Sequence, residues 1–181
     1  MDSEINLDII NDKVLFEKIH FQKDLFVMLF TEIANEFPQS RLLKTYAASK
    51  GTKVSQGWNL EKRPYQVLDL IRDFDDKNGL NIRLLNWWGQ GFYIIVQIGR
   101  RNSNLGEKIK RLIQQDFFLS QHNQPFDYFK IFQSTLLLDT ENYKVNTVAN
   151  DIVIVYKKIT FPTRISLKKD ILDVLNYLID I

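Results

Sequence analysis

Four cations and five large aromatic side chains near the middle of this chain form its most chemically suggestive pattern. They are Lys50, Lys53, Arg63 and Arg83, with Trp58, Tyr65, Trp87, Trp88 and Tyr93. Ammonium and guanidinium groups hold anions, and indole and phenol rings add flat apolar area with an N–H or O–H handle. Together they predict a pocket for an anionic, partly apolar small molecule, or a surface on which bases stack. The expected ligand contacts are Lys50, Lys53, Trp58, Arg63, Tyr65, Arg83, Trp87 and Trp88. Arg83 is the most telling of them. It is the lone charge in an otherwise uncharged segment, and a buried guanidinium requires either an internal carboxylate or a ligand anion. The competing reading pairs Arg83 with an acidic residue of the same chain, on the N-terminal helices for example, and uses the tryptophans as core.

Other chemistries are poorly supplied. The two histidines, His20 and His122, are about a hundred residues apart, so no histidine-based metal motif can form. Asp73, Asp75 and Asp76 are close in sequence, but an EF-hand loop counted from Asp73 would put Asn78 where glycine is needed and Leu84 where a bidentate carboxylate belongs. Asp75-Asp76-Lys77 has the D-x-K spacing of many metal-dependent nucleases but stands at a predicted helix end, the wrong setting. No G-x-S-x-G elbow occurs, and the closeness of Ser120 and His122 in sequence does not by itself place one against the other. Residues 49–55, SKGTKVS, offer lysines and hydroxyls to an anion but lack the two spaced glycines of a phosphate loop. Gly89-Gln90-Gly91 lacks the third glycine and the helix of a dinucleotide fingerprint. Neither a metal nor a cofactor is expected.

Zero cysteines exclude disulfides, thiolate-bound metals and a cysteine nucleophile, and fit a reducing cytoplasm. The acidic N-terminus lacks the basic and apolar blocks of a secretory signal, and no apolar run approaches a membrane span. The 181 residues suit one globular domain over 1–181. Net charge is only +2 but is unevenly spread. Residues 1–37 carry eight acidic and three basic side chains, residues 41–63 six basic and one acidic, and residues 100–111 five basic and one acidic. Such blocks can pair with each other or present a basic face; the small total argues against strong nonspecific nucleic-acid binding.

Apolar spacing positions these groups. Residues 12–37 read as helix, with a break expected near His20, a cap at Asp12 and a stop at Pro38; its broad aromatic stripe suits a core or a helix–helix interface. Arg41–Tyr46 extends the helical layer, and residues 49–58 read as a loop with a short strand. Pro64 is expected in the first turn of a helix faced by Tyr65, Leu68, Ile71 and Phe74 and ended by Asn78-Gly79. Leu80–Trp88 and Phe92–Ile98 read as a hairpin turned by Gly89-Gln90-Gly91. Ile82, Leu84, Asn86 and Trp88 share one face of its first strand, and Asn81, Arg83, Leu85 and Trp87 the other. Asn104 and Glu107 predict a capping box for a helix through Phe117. Phe129–Leu138 and Asp151–Phe161 read as strands around a polar turn at Asp139–Asn142, although the first could begin as a helix. Ser166 is expected to cap a last helix.

The pattern predicts an α+β fold: an antiparallel sheet built on a central hairpin, with helices packed mainly on one face. The functional expectation is a non-catalytic binding or interaction module for an anionic, partly apolar ligand. The alternatives are an enzyme acting on an anionic or phosphorylated substrate, with Asp73 or Asp76 as base, and a nucleic-acid binder using the two basic blocks. Oligomeric state is not encoded in any of these patterns.

Overall fold

The computed structural model describes residues 5–160 and 164–179. In chain order the elements are α1 (Leu7–Asn11), α2 (Lys13–Asn35), α3 (Gln39–Thr45), β1 (Lys53–Leu60), β2 (Arg63–Arg72), β3 (Leu80–Trp87), β4 (Gly91–Gly99), α4 (Leu105–Gln114), β5 (Phe118–Leu119), α5 (Tyr128–Ile131), α6 (Thr140–Ala149), β6 (Ile152–Ile159) and α7 (Arg164–Ile179). The fold is α+β. Its strands form one antiparallel sheet in the order β1-β2-β3-β4-β6-β5, with the β3–β4 hairpin at the centre.

Alternation along the strands divides the interior in two. Leu68, Leu84, Ile82, Ile94, Val96, Val153 and Val155 face a large core completed by Phe30 and Ile33 of α2, Leu42 of α3, Leu112 of α4 and Ile171 of α7. Val67, Leu85, Trp87, Tyr93, Ile95, Ile154 and Tyr156 face a second cluster, closed by Tyr128 and Ile131 of α5. Phe132 binds this second layer together, stacking on Tyr93 at a centroid distance of 3.9 Å. The central strands are therefore buried on both faces, which explains their near-continuous apolar sequence.

Several local expectations need correction. The segment from Pro64 is strand β2. A β-bulge between Asp69 and Ile71 puts Leu68 and Ile71 on the same core although they are three residues apart, and this imitates helical spacing. The β1–β2 turn is Glu61-Lys62, both at positive φ, so it lacks the usual glycine or asparagine signal. Helix α2 has no break at His20; Asp12 does cap it, accepting from the Leu15 N–H at 2.8 Å. Asn104 makes no side-chain cap, because its backbone is left-handed (φ 57°), and Glu107 pairs with Lys110 instead. The capping box is at Asp139 and Asn142, where the polar turn opens α6. Residues 128–131 are helical, and the extended partner of this region is the short β5. Ser166 lies inside the first turn of α7. No helix among the described residues is long and apolar enough to cross a membrane.

Candidate functional site

Arg83 lies opposite Asp69 in register across β2 and β3, in a cross-strand row that continues to Lys53 on one side and to Ile95 and Tyr156 on the other. Its Nε donates to Asp69 Oδ1 at 2.6 Å and its Nη2 to Oδ2 at 3.0 Å, a two-pronged pair with both side chains buried. Nη1 donates to the Tyr128 hydroxyl. Phe74 and Phe126 close over the guanidinium with ring centroids 5.6 and 5.2 Å away. Burial works against the charge, but the Asp69 bonds and the neighbouring charges outweigh it and hold the Arg83 pKa above its ordinary value. Asn81 Nδ2 supports the pair, donating to Asp69 Oδ1 and to the Ile71 carbonyl. Asp69, on a neighbouring strand, fills the role a ligand anion was expected to take.

The other expected contacts divide between the two sheet faces. Lys53, Arg63, Tyr65 and Trp87 share the Arg83 face by strand alternation. Lys53 and Arg63 are exposed there, and Arg63 Nη1 donates to the Glu61 carbonyl. Trp87 is buried and its indole N–H donates to the Leu60 carbonyl at 3.1 Å. Trp58 and Trp88 project from the opposite face, toward α2. Trp58 is half exposed, packed edge-on to His20 with Lys23 Nζ 4.1 Å from its ring centroid. Lys50, in the loop before β1, lies 3.8 Å from Asp73. The expected single hollow of indoles and cations is not formed, because neighbouring residues on a strand point to opposite faces.

A different concavity takes in Trp87 and Trp88. It is a groove of about 620 Å³ at the end of the β3–β4 hairpin. Gln22 and Phe26 of α2 wall one side; Asn86, Phe92 and Ile159 form the floor; Gly89, Gln90 and Thr160 complete the rim. None of the described residues that line it is charged. The floor is fixed by a cross-strand row, Gln66–Asn86–Phe92–Ile159. Phe26 stacks on Phe92 at 6.4 Å, and Phe30 meets the same ring edge-on at 5.7 Å. Fully buried Gln66 orients the polar side: its Oε1 accepts from Asn86 Nδ2 at 2.7 Å and from the Trp88 indole N–H at 2.9 Å. Gly91, at φ 135°, takes a backbone conformation at the start of β4 that L side chains rarely adopt. Sequence reasoning missed Gln22, Phe26, Gln66, Phe92 and Ile159. The available signal was Asn86 and Trp88, polar-handled residues on the otherwise apolar face shared with Leu84.

Asp73, Asp75 and Ser120 are engaged in structure, and Asp76 is exposed in the turn before Gly79. Asp73 accepts from the Tyr46 hydroxyl at 2.6 Å, and burial together with this carboxylate pushes the Tyr46 pKa up. Asp75 accepts the N–H groups of Asn78 and Lys77, which holds its carboxyl below the ordinary carboxylate value. Ser120 Oγ donates to the His122 carbonyl and not to its ring. Asp127 lies 3.3 Å from His122 Nε2 without hydrogen-bond alignment. No group of metal-ligating side chains occurs among the described residues. In the 100–111 block, Lys108 is buried, Lys110 pairs with Glu107, and Arg111 donates to the Tyr177 carbonyl. Comparison with protein-family models, with curated protein sequences and with solved structures finds no match to this chain.

Proposed function

We propose that this protein is a non-catalytic binding module whose groove at the β3–β4 hairpin end takes an uncharged, partly apolar small molecule. The observation that carries this reading is the uncharged lining among the groove's described residues, with Phe26, Trp88, Phe92 and Ile159 as apolar contacts and Gln22, Asn86, Gln90 and Thr160 as polar ones. Its size falls within the roughly 300–1,000 Å³ of small-molecule sites, which combine aromatic walls with a few fixed polar groups. An anionic ligand is less well supported there, because Arg83 and Lys50 are held by carboxylates outside the groove. Gln66 fixes Asn86 and Trp88 before any ligand arrives, which lowers the ordering cost of binding. The cysteine-free chain suits work in a reducing cytoplasm.

The test is a fluorescence titration with an uncharged naphthalene ketone dye, compared with an anionic naphthalenesulfonate dye. The uncharged dye is expected to bind more tightly. Trp88→Ala is expected to weaken it by about tenfold or more, as removal of roughly 1.4 kcal/mol of aromatic contact implies. Trp58→Ala, in β1 against His20 and Lys23 and outside the groove, should leave it unchanged. Absence of binding by the uncharged dye, or binding indifferent to Trp88→Ala, overturns the reading.

A further inference from the structure

The groove at the β3–β4 hairpin end has a polar edge whose orientation is fixed by chemistry. The Trp88 indole N–H can only donate, so Gln66 must present its carbonyl oxygen to it. The same Oε1 lies 2.7 Å from the Asn86 side chain, so Asn86 must present its amide nitrogen there. This assignment turns Asn86 Oδ1 away from Gln66 and leaves one N–H of Nδ2 uncommitted. Among the described residues Asn86 Oδ1 has no hydrogen-bond partner, and it is not sealed from solvent. Asn86 lines the groove beside Trp88 and Phe92, and Phe26 stacks on Phe92 across it.

Gln66 is a poor choice for packing alone. It is fully buried in β2, and its Nε2 has no partner among the described residues. A buried donor without an acceptor works against folding, and an apolar side chain would avoid that loss. What the glutamine supplies is a single acceptor that holds Asn86 and Trp88 side by side at the groove.

We propose that the ligand of this groove is a neutral planar molecule with a hydrogen-bond donor and an acceptor side by side, as on an amide or lactam edge, and that Asn86 reads that edge. The ligand N–H donates to Asn86 Oδ1, its carbonyl accepts from Asn86 Nδ2, and its flat face lies against the Trp88 indole. Carboxamide side chains pair in this two-pronged way with the adjacent donor and acceptor of a heterocycle. A ketone of the same shape brings no donor and leaves Oδ1 unmatched once the ligand has displaced water. This inference rests on the groove being the binding site and adds which molecule the groove selects.

Two naphthalenes of matched shape test it: the carboxamide, and the methyl ketone in which a methyl group replaces the amide NH2. Each is titrated into the isotope-labelled full chain and followed by the nuclear magnetic resonance signals of backbone and side-chain amides. The carboxamide is expected to bind about tenfold more tightly than the ketone, as one further matched hydrogen bond implies. It should also shift the Asn86 side-chain NH2 signals of the wild type, a readout that needs no variant. Asn86→Leu, which keeps the side-chain size, is expected to reduce the preference to within about twofold. Equal binding of the two compounds, or a preference that survives Asn86→Leu, overturns the role of Asn86 and leaves the groove reading standing. Failure of both compounds to move any signal from the groove overturns that reading and this inference with it.

Discussion

Asp69 and Arg83 are buried charges of two neighbouring strands, and they neutralise each other in register beneath Phe74 and Phe126. A buried pair of this kind is sensitive to loss of one partner. Arg83→Met is expected to destabilise the fold by about 3–5 kcal/mol, because it leaves Asp69 charged and unpaired. Replacing both, with Asp69→Leu added, should recover much of that loss. Urea unfolding of the three proteins gives the comparison; a near-neutral Arg83→Met would mean that the pair is not structural.

Gln66 holds two donors with a single oxygen. Gln66→Met keeps the volume and removes the acceptor, so the Asn86 amide and the Trp88 indole lose a partner. The expected cost is about 1–3 kcal/mol. Tryptophan emission of the folded protein should change, since the Trp88 ring is no longer held; unchanged emission and stability would contradict this role.

Two glycines should respond in opposite directions to alanine. A Cβ on Gly99 would drive into the backbone of Lys77 and Asn78, so Gly99→Ala is expected to cost about 1–3 kcal/mol. Gly106 lies in the first turn of α4 with open space around it, and Gly106→Ala should stabilise by roughly 0.4–1 kcal/mol. Thermal midpoints distinguish the two, and equal shifts would defeat the argument.

Lys108 supplies a pH signature. Burial lowers its pKa in the fold, and its Nζ donates to the Ser103 carbonyl at 2.6 Å. The unfolded chain therefore binds the proton more tightly, and this group's contribution to stability rises with pH between the lowered value and the ordinary lysine value. Lys108→Met should be more stable than wild type at neutral pH, by less than about 1 kcal/mol after solvent screening. That advantage should shrink as pH climbs toward the ordinary lysine pKa. Unfolding free energies of both proteins at neutral and alkaline pH measure it, and a constant difference would exclude the charge as its source.

The hairpin was legible because glycines supply its turn and both strands are apolar, and α2 because its inner stripe keeps helical spacing. β2 was not legible. Its bulge places Leu68 and Ile71 on one face, and an early Pro64 is as compatible with a strand start as with a helix start. Misplacing β2 hid Asp69 as the partner of Arg83, since a helical Asp69 has no defined register against β3. The groove was half visible. Asn86 and Trp88 could be placed on a shared strand face, but their meeting with Phe26 depends on how α2 crosses the sheet, which local spacing does not encode.

The connection between β4 and β6 has a kinetic meaning. Strands β1 to β4 form a meander of short turns, whereas β6 pairs with β4 only after the chain has travelled from Gly99 to Ile152. Closing so long a loop loses chain entropy before any pairing compensates for it. The meander can therefore organise first, and amide hydrogens of β6 should gain protection later in refolding than those of β3.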